Sequence, residues 1–395
     1  MLFARAKGGL KPTVALPLFV AFTVVSTGGP LALAALYGPT VVSPLSSAGL
    51  EVVLAAVLFG LPMAVWYAFS GQVASAGGLY AFVEAGLGRR LALVQGALWT
   101  VSYFLYLPYT VTYVVYYVLP TVVGGTGPYR PWLEVLLPVG IAALGFVRLR
   151  RALLIVGALA VLQLAVLLAF AIAGMGHLGT APGAFGAHGA ARHIFGGTVN
   201  FSLLFICVSL PLFLGGEAIG GARTVRRGLS WGFVLSVAFV LLGLLAWVHA
   251  GPALTGGQVP GLALAQQSWG HPFAVVVGFS VAASVAGLIV AEYLALSRLL
   301  HAMSGMALKA TTLWVAAGFV VADLLSLINP DAFYNDLLKP SLVALWAAQL
   351  PVFVAFPFFA RRHRFSLSGS LVLACGSAAL MSYGLYTAIV SAVSS

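Results

Sequence analysis

The sequence predicts an all-α integral membrane protein of about eleven transmembrane helices, two of them broken at mid-depth. Three observations predict it. Hydrophobic residues make up 62% of the chain and charged residues 7%, where an ordinary soluble domain is about 25% charged. Apolar segments, most of them near the ~20 residues a span needs, follow one another with short polar turns between them. The first and sixth of these segments each carry a glycine pair inside membrane-grade sequence.

No polar block is long enough to fold as a soluble domain, so residues 1–395 read as one transmembrane unit. The N-terminus, MLFARAKGGLK, is basic, but the apolar segment behind it is too long for a cleaved signal and has no clear small-residue cleavage site. The net charge of +11 does not point to nucleic acid, because the basic residues sit at helix ends rather than on one face. Cys207 and Cys375 lie in apolar segments and read as small core residues. No CxxC, HExxH, Walker or Rossmann pattern appears, so neither a metal nor a cofactor is expected, and no nucleophile–base pair suggests an enzyme.

Taken in order, the predicted spans are 13–37, 48–69, 91–119, 132–146, 152–175, 195–222, 229–250, 272–300, 312–328, 337–359 and 368–393, the fourth being short. Charge orients them. With the N-terminus cytoplasmic, the inner side holds Arg5, Lys7, Lys11, Arg89, Arg90, Arg148, Arg150, Arg151, Arg223, Arg226, Arg227, Arg298, Lys309, Arg361, Arg362 and Arg364. The outer side holds Arg130, Arg192 and Lys339, so sixteen and three account for all 19 basic residues. Positive charge stays on the cytoplasmic side, which places the C-terminus outside and the protein in a plasma (inner) membrane. The wealth of Ala, Gly, Leu and Arg suits a prokaryotic one.

The loops are of three kinds. Residues 176–194 are rich in Gly, Ala and His, but His177, His188 and His193 lack metal-site spacing, so this is an exterior loop. Residues 329–339 carry Asp331 and Asp336, read as solvated surface charges. Residues 70–90 are full of small residues and predict a short amphipathic inner helix over 79–85, with Glu84 near the surface.

The stretch 201–227, FSLLFICVSLPLFLGGEAIGGARTVRR, organises the rest. It begins as an apolar helix, then meets Pro211, Gly215, Gly216 and the carboxylate of Glu217. Irregular backbone at membrane depth is tolerated only against protein or a watery cavity. An acid inside a span marks a functional site by default. The first segment has its own interruption, Ser26, Thr27, Gly28, Gly29 and Pro30. Five helices separate the two points, and five is odd, so the second copy enters from the opposite face. Paired interruptions in inverted halves point to a transporter site. A broken helix frees N–H groups at one new end and C=O groups at the other. The first hold anions and the second cations, a match for an amino acid.

Three motifs resemble the amino acid–polyamine–organocation superfamily of transporters. SAGGLYAFVEAGLGRRLALVQGALW, 75–99, is similar to its inner-loop signature; FLGGE, 213–217, to the neighbourhood of its broken sixth helix; LSRLLHAM, 296–303, to the end of its eighth helix. The resemblance implies a five-plus-five inverted repeat, with halves over 13–175 and 195–359 and an extra C-terminal helix over 368–393. It also implies alternating access, with substrate held between helices 1 and 6. The chain departs from the family at the first break, which reads STGGP. It also lacks the fifth-helix lysine of some proton-coupled members, Gln163 standing nearest.

The expected substrate contacts are N–H groups around Ser26, Thr27, Gly28 and Gly29 for a carboxylate, and carbonyls around Phe213, Leu214 and Gly215 for an amine. Phe213 is a candidate lid, and Tyr103 and Tyr106 are candidate cavity walls. Glu217 and Glu292 are candidates for substrate contact or proton coupling, and Asp323 is a weaker one. Ser280 and Ser284, one helical turn apart, share a face and are candidates for a sodium site. The expected partners are the lipid bilayer, a small-molecule amino acid or amine, and a coupling proton or sodium. The alternative is an inorganic cation transporter or channel on the same scaffold. A receptor or assembly subunit would leave the paired breaks without a purpose.

Overall fold

The computed structural model describes residues 10–125, 127–180, 182–257, 259–363 and 365–393. Arg5, Lys7 and Arg364, counted above toward the inner face, lie outside the described residues, as do the last two residues of the chain. Ten helices among the described residues are long and apolar enough to cross a membrane. They are helix 1 (Leu16–Val41), helix 2 (Leu45–Ser70), helix 3 (Arg89–Val123), helix 5 (Leu149–Leu178) and helix 6 (Ala191–Glu217). Helix 7 (Ala222–Leu245), helix 8 (His271–Ser304), helix 9 (Leu308–Leu327), helix 10 (Pro330–Arg362) and helix 11 (Leu367–Val393) complete them. Helix 4, Arg130–Leu144, has 15 residues. At 1.5 Å per residue it reaches about 22 Å, short of a ~30 Å hydrocarbon core. The chain is therefore a nearly all-helical, multi-pass membrane protein. Its expected eleven spans are ten full crossings and one short one.

The inner helix predicted over 79–85 is present as Leu79–Leu87. A second short helix, Pro260–Trp269, was not predicted, because its sequence gives one apolar turn followed by Gln-Gln-Ser. It lies close on helix 1 through Gly261, where a Cβ would come within 2.7 Å of the Ala35 carbonyl oxygen. Of the exterior loop over 176–194, Pro182–Phe185 forms a 3-10 turn. The His188 N–H there donates to Ser47 Oγ at 2.8 Å. Among the described residues no group of three His, Cys, Asp or Glu converges.

Helices 1 and 6 form the centre of the bundle. Of the most apolar stretch of each, 83% is buried, against 33% for helix 11. That placement follows from their irregular backbone, which only protein neighbours can shelter. Helix 1 is α-helical over Leu16–Ser26 and turns at Thr27. Gly28 and Gly29 then adopt φ of 90° and 72°, a left-handed backbone that costs an L-residue about 1–2 kcal/mol. Pro30 restarts the helix, its missing N–H costing nothing at a first-turn position. Gly29 is doubly constrained, because a Cβ there would overlap Ser284 Oγ on helix 8 and come within 2.9 Å of Gln163 Oε1 on helix 5.

Gly88 offers an internal control. Its φ is 91°, yet a Cβ there would meet nothing within 4 Å. Gly29→Ala is therefore expected to cost the left-handed strain plus an overlap of about 1–3 kcal/mol, and Gly88→Ala the strain alone. Thermal unfolding of the two variants in detergent measures the difference. Equal midpoints would show that Ser284 does not wedge the break.

Candidate functional site

The second break does not lie where the glycines suggested. Helix 6 is α-helical over Ala191–Leu203. It turns at Leu204 and Phe205, then winds as a 3-10 helix over Ile206–Glu217. Helix 7 acts as a ruler between the two broken helices. Its Gly232 fits against Thr23 of helix 1, and Ser236 Oγ donates to Thr27 Oγ1 at 3.3 Å. One residue beyond Gly232, the Phe233 ring lies 5.3 Å from Phe205 of helix 6. Leu204–Phe205 and Thr27–Gly29 therefore lie within about one helical turn of each other in depth.

Gly215 and Gly216 sit elsewhere, at the end of the bundle where helix 1 begins. A Cβ on either would press on the backbone of Ser75 or Ala76, at 3.0 Å. Their glycine character serves close packing against the inner loop, not an interruption at mid-depth. Just beyond them Val14 and Ala218 form a parallel β-bridge. The Glu217 carbonyl accepts the Thr13 and Val14 N–H groups at 2.8 and 2.9 Å, and the Ile219 N–H donates to the Val14 carbonyl at 2.8 Å. Val14 precedes Gly28 by about 14 residues, or some 20 Å of helix. The expected carbonyls of Phe213, Leu214 and Gly215 lie between that bridge and the level of the first break, on the 3-10 stretch of helix 6.

Phe213 and Leu214 are both buried. Phe213 packs on Gly78 of the inner loop and lies 5.1 Å from the Trp99 ring. Glu217 is held by Arg298 of helix 8, with Nε to Oε2 at 2.5 Å and Nη2 to Oε1 at 3.2 Å. Both side chains are nearly buried. Glu217 therefore ties helices 1, 6 and 8 together at the end of the bundle where helix 1 begins. The structure does not place it at the break.

Glu292 is the acid that the fold brings to the centre. It is fully buried and sits 4.0 Å from Cys207 Sγ, three residues past Leu204. Its Oε2 has no hydrogen-bond partner among the described residues. Tyr37, Tyr103, Tyr106 and Tyr109 all lie within electrostatic reach of it. Their rings lead outward in contact: Tyr103 to Tyr106 at 6.5 Å, Tyr106 to Tyr109 at 4.9 Å, and Tyr109 to Tyr334 of helix 10 at 5.6 Å. At the outer end Tyr117 donates to Asp331 Oδ1 at 2.6 Å, so Asp331 is bonded rather than merely solvated.

Around the first break, Ser26 and Thr27 are buried, each hydroxyl bonded back to the Thr23 carbonyl at 3.0 and 2.7 Å. Among the described residues the Gly28 and Gly29 N–H groups have no acceptor. Ser284 Oγ donates to Gln163 Oε1 at 2.8 Å beside Gly29, and Ser280 lies one turn outward. Asp323 is remote from this centre, buried close to Glu134 of helix 4. Sequence reasoning missed Cys207, Tyr37, Tyr109 and Arg298 as partners. Their only signal was residue type, since each is paired by residues 80 or more positions away or by a neighbouring helix.

The chain matches no protein-family model, and no curated protein matches its sequence. Its structure is similar to several solved transporters. One is MhsT in complex with L-phenylalanine, at 14% identity and a TM-score of 0.66, covering 94% of this chain and 98% of that one. A second is the manganese transporter of Eremococcus coleocola in complex with an aromatic bis-isothiourea compound, at 12% and 0.62, covering 97% and 91%. A third is a substrate-bound, outward-open Na+-coupled sialic acid symporter, at 11% and 0.61, covering 97% and 91%. The fold is the LeuT fold. At these identities the likeness fixes architecture, an inverted repeat of helices, and leaves substrate to this chain's own residues.

The buried latch generates a test. Removing one partner of such a pair leaves an uncompensated charge and costs about 3–5 kcal/mol, whereas an apolar replacement of both is far milder. Glu217→Gln is expected to destabilise the protein more than the double variant Glu217→Gln/Arg298→Met. Unfolding of the purified variants reads this directly, and additive losses would mean that the two charges do not depend on each other.

Proposed function

We propose that the protein is a secondary transporter of amino acids or related amines, working by alternating access, in the manner of the amino acid–polyamine–organocation superfamily. The observation that carries this reading is the presence of two backbone breaks within about a helical turn of each other in depth, with Glu292 beside the second. Unbonded N–H groups at Gly28 and Gly29 suit a carboxylate. The Glu292 carboxylate, facing Cys207 and the tyrosines of helix 3, suits an amine. Phe213 and the Glu217–Arg298 latch close the inner end. Substrate would then enter past Tyr334 and leave when helices 1 and 6 part from the inner loop.

The remaining assignments follow from this reading. The repeats run over 13–175 and 195–359, with 368–393 an addition. The N-terminus is cytoplasmic in a prokaryotic plasma membrane, by the distribution of basic residues. Coupling is to a proton at Glu292 or to sodium near Ser280, Ser284 and the carbonyls that end the first half of helix 1. The inorganic-cation alternative draws on the manganese transporter among the structural neighbours. Against it stands the lack, among the described residues, of any convergent group of three His, Cys, Asp or Glu.

Uptake or exchange by proteoliposomes tests the proposal. Labelled amino acids or amines should accumulate, and Gly28→Val should cut the rate at least tenfold by filling the break. Cation flux without organic solute, indifferent to Gly28→Val, would favour the inorganic reading instead.

A further inference from the structure

We infer that the site selects elongated solutes with a positive charge at the end far from the carboxylate, of the diamino or guanidino acid class, and that Glu292 is the counter-charge for that end. The inference rests on the transport reading above and sharpens its substrate class. Charge is the first ground. Among the described residues two ion pairs form, Arg130–Glu134 and Arg298–Glu217, so neither serves Glu292. Arg298 is six residues further along the same helix, but its Nε and Nη2 are both engaged by Glu217, and its Nη1 donates to the Leu294 carbonyl at 3.0 Å. A buried acid is costly unless paired, and a cationic solute supplies the missing partner.

The surroundings of Glu292 are the second ground. Tyr103 is buried with its hydroxyl unbonded among the described residues, and Tyr106, a turn outward, is only half-buried. Ring faces attract ammonium and guanidinium groups more strongly than a neutral amide or alkyl end. The run of rings from Tyr109 to Tyr334 and Tyr117 ends at Asp331. A cation would thus meet an acid at each end of an aromatic path.

Length is the third ground. Ser284 touches the first break at Gly29, and Glu292 follows it by eight residues in one continuous helix, about 12 Å along the axis. Two hydrogen bonds of roughly 2.9 Å account for about half of that. On that axial rise a solute reaching both would separate its own charges by about 6 Å. The α-ammonium and α-carboxylate of an amino acid are two bonds apart, about 2.5 Å. A side-chain amine or guanidinium four or five bonds beyond the α-carbon spans the gap, and an amine three bonds beyond falls short.

The test uses wild-type protein in proteoliposomes with labelled leucine, lysine and putrescine as probes. Against lysine uptake, unlabelled diaminobutyrate, ornithine and lysine should compete with rising strength, at least tenfold from first to last. Arginine should compete at least tenfold better than citrulline, its neutral isostere. In Glu292→Gln the arginine-to-citrulline ratio should fall to within threefold. Leucine uptake without lysine uptake, equal competition along the length series, or citrulline matching arginine would each overturn the inference and leave the transport reading standing. No uptake of any probe by monodisperse protein would overturn both.

Discussion

A peptide group inside lipid has no water to bond, so every interruption of a membrane helix has to be enclosed by protein. That constraint orders this bundle. Helix 1 unwinds at Thr27–Gly29 and helix 6 at Leu204–Phe205, and these two are the most enclosed of the ten crossings. Helices 2, 5, 7 and 8 supply the enclosure. Gly29 is pressed against Ser284 and Gln163, Thr23 against Gly232, and Phe205 against Phe59 and Phe233. The same enclosure buries the Gly28 and Gly29 N–H groups without an acceptor among the described residues, and the proposed transport reading gives these strong donors a solute to bind.

How much of this was legible in the sequence depends on where the cause of each feature lies. The break in helix 1 is local. A Gly-Gly-Pro run supplies two residues that tolerate positive φ and one that cannot continue a helix, so residue type alone announced it. The break in helix 6 has no such residue at Leu204 or Phe205. There the 3-10 winding is sustained by what surrounds it, and Pro211, further along, withholds one N–H from the ladder. The nearby Gly215–Gly216 pair drew attention to itself but answers a different demand, the close approach of Ser75 and Ala76. A glycine pair in sequence does not say which of its two uses is in play.

The acids divide the same way. That Glu217 and Glu292 matter could be read from the rarity of charge in apolar segments. Which of them lies beside the second break could not, because Arg298 lies 81 residues from Glu217 in the chain and only six from Glu292. Helix geometry puts positions six apart about 120° from each other around the cylinder, so Arg298 and Glu292 point different ways and the guanidinium reaches across to helix 6.

The small β-bridge between Val14 and Ala218 has a mechanical meaning. Three backbone hydrogen bonds join the lower limbs of two separate helices into one crossbar. Neither limb can swing alone without stripping amides that have no other acceptor close by. The pair would pivot together about the flexible points above, Gly28–Gly29 on one side and Leu204–Phe205 on the other. The lower half of the gate would then be a two-legged rocker rather than a pair of independent flaps.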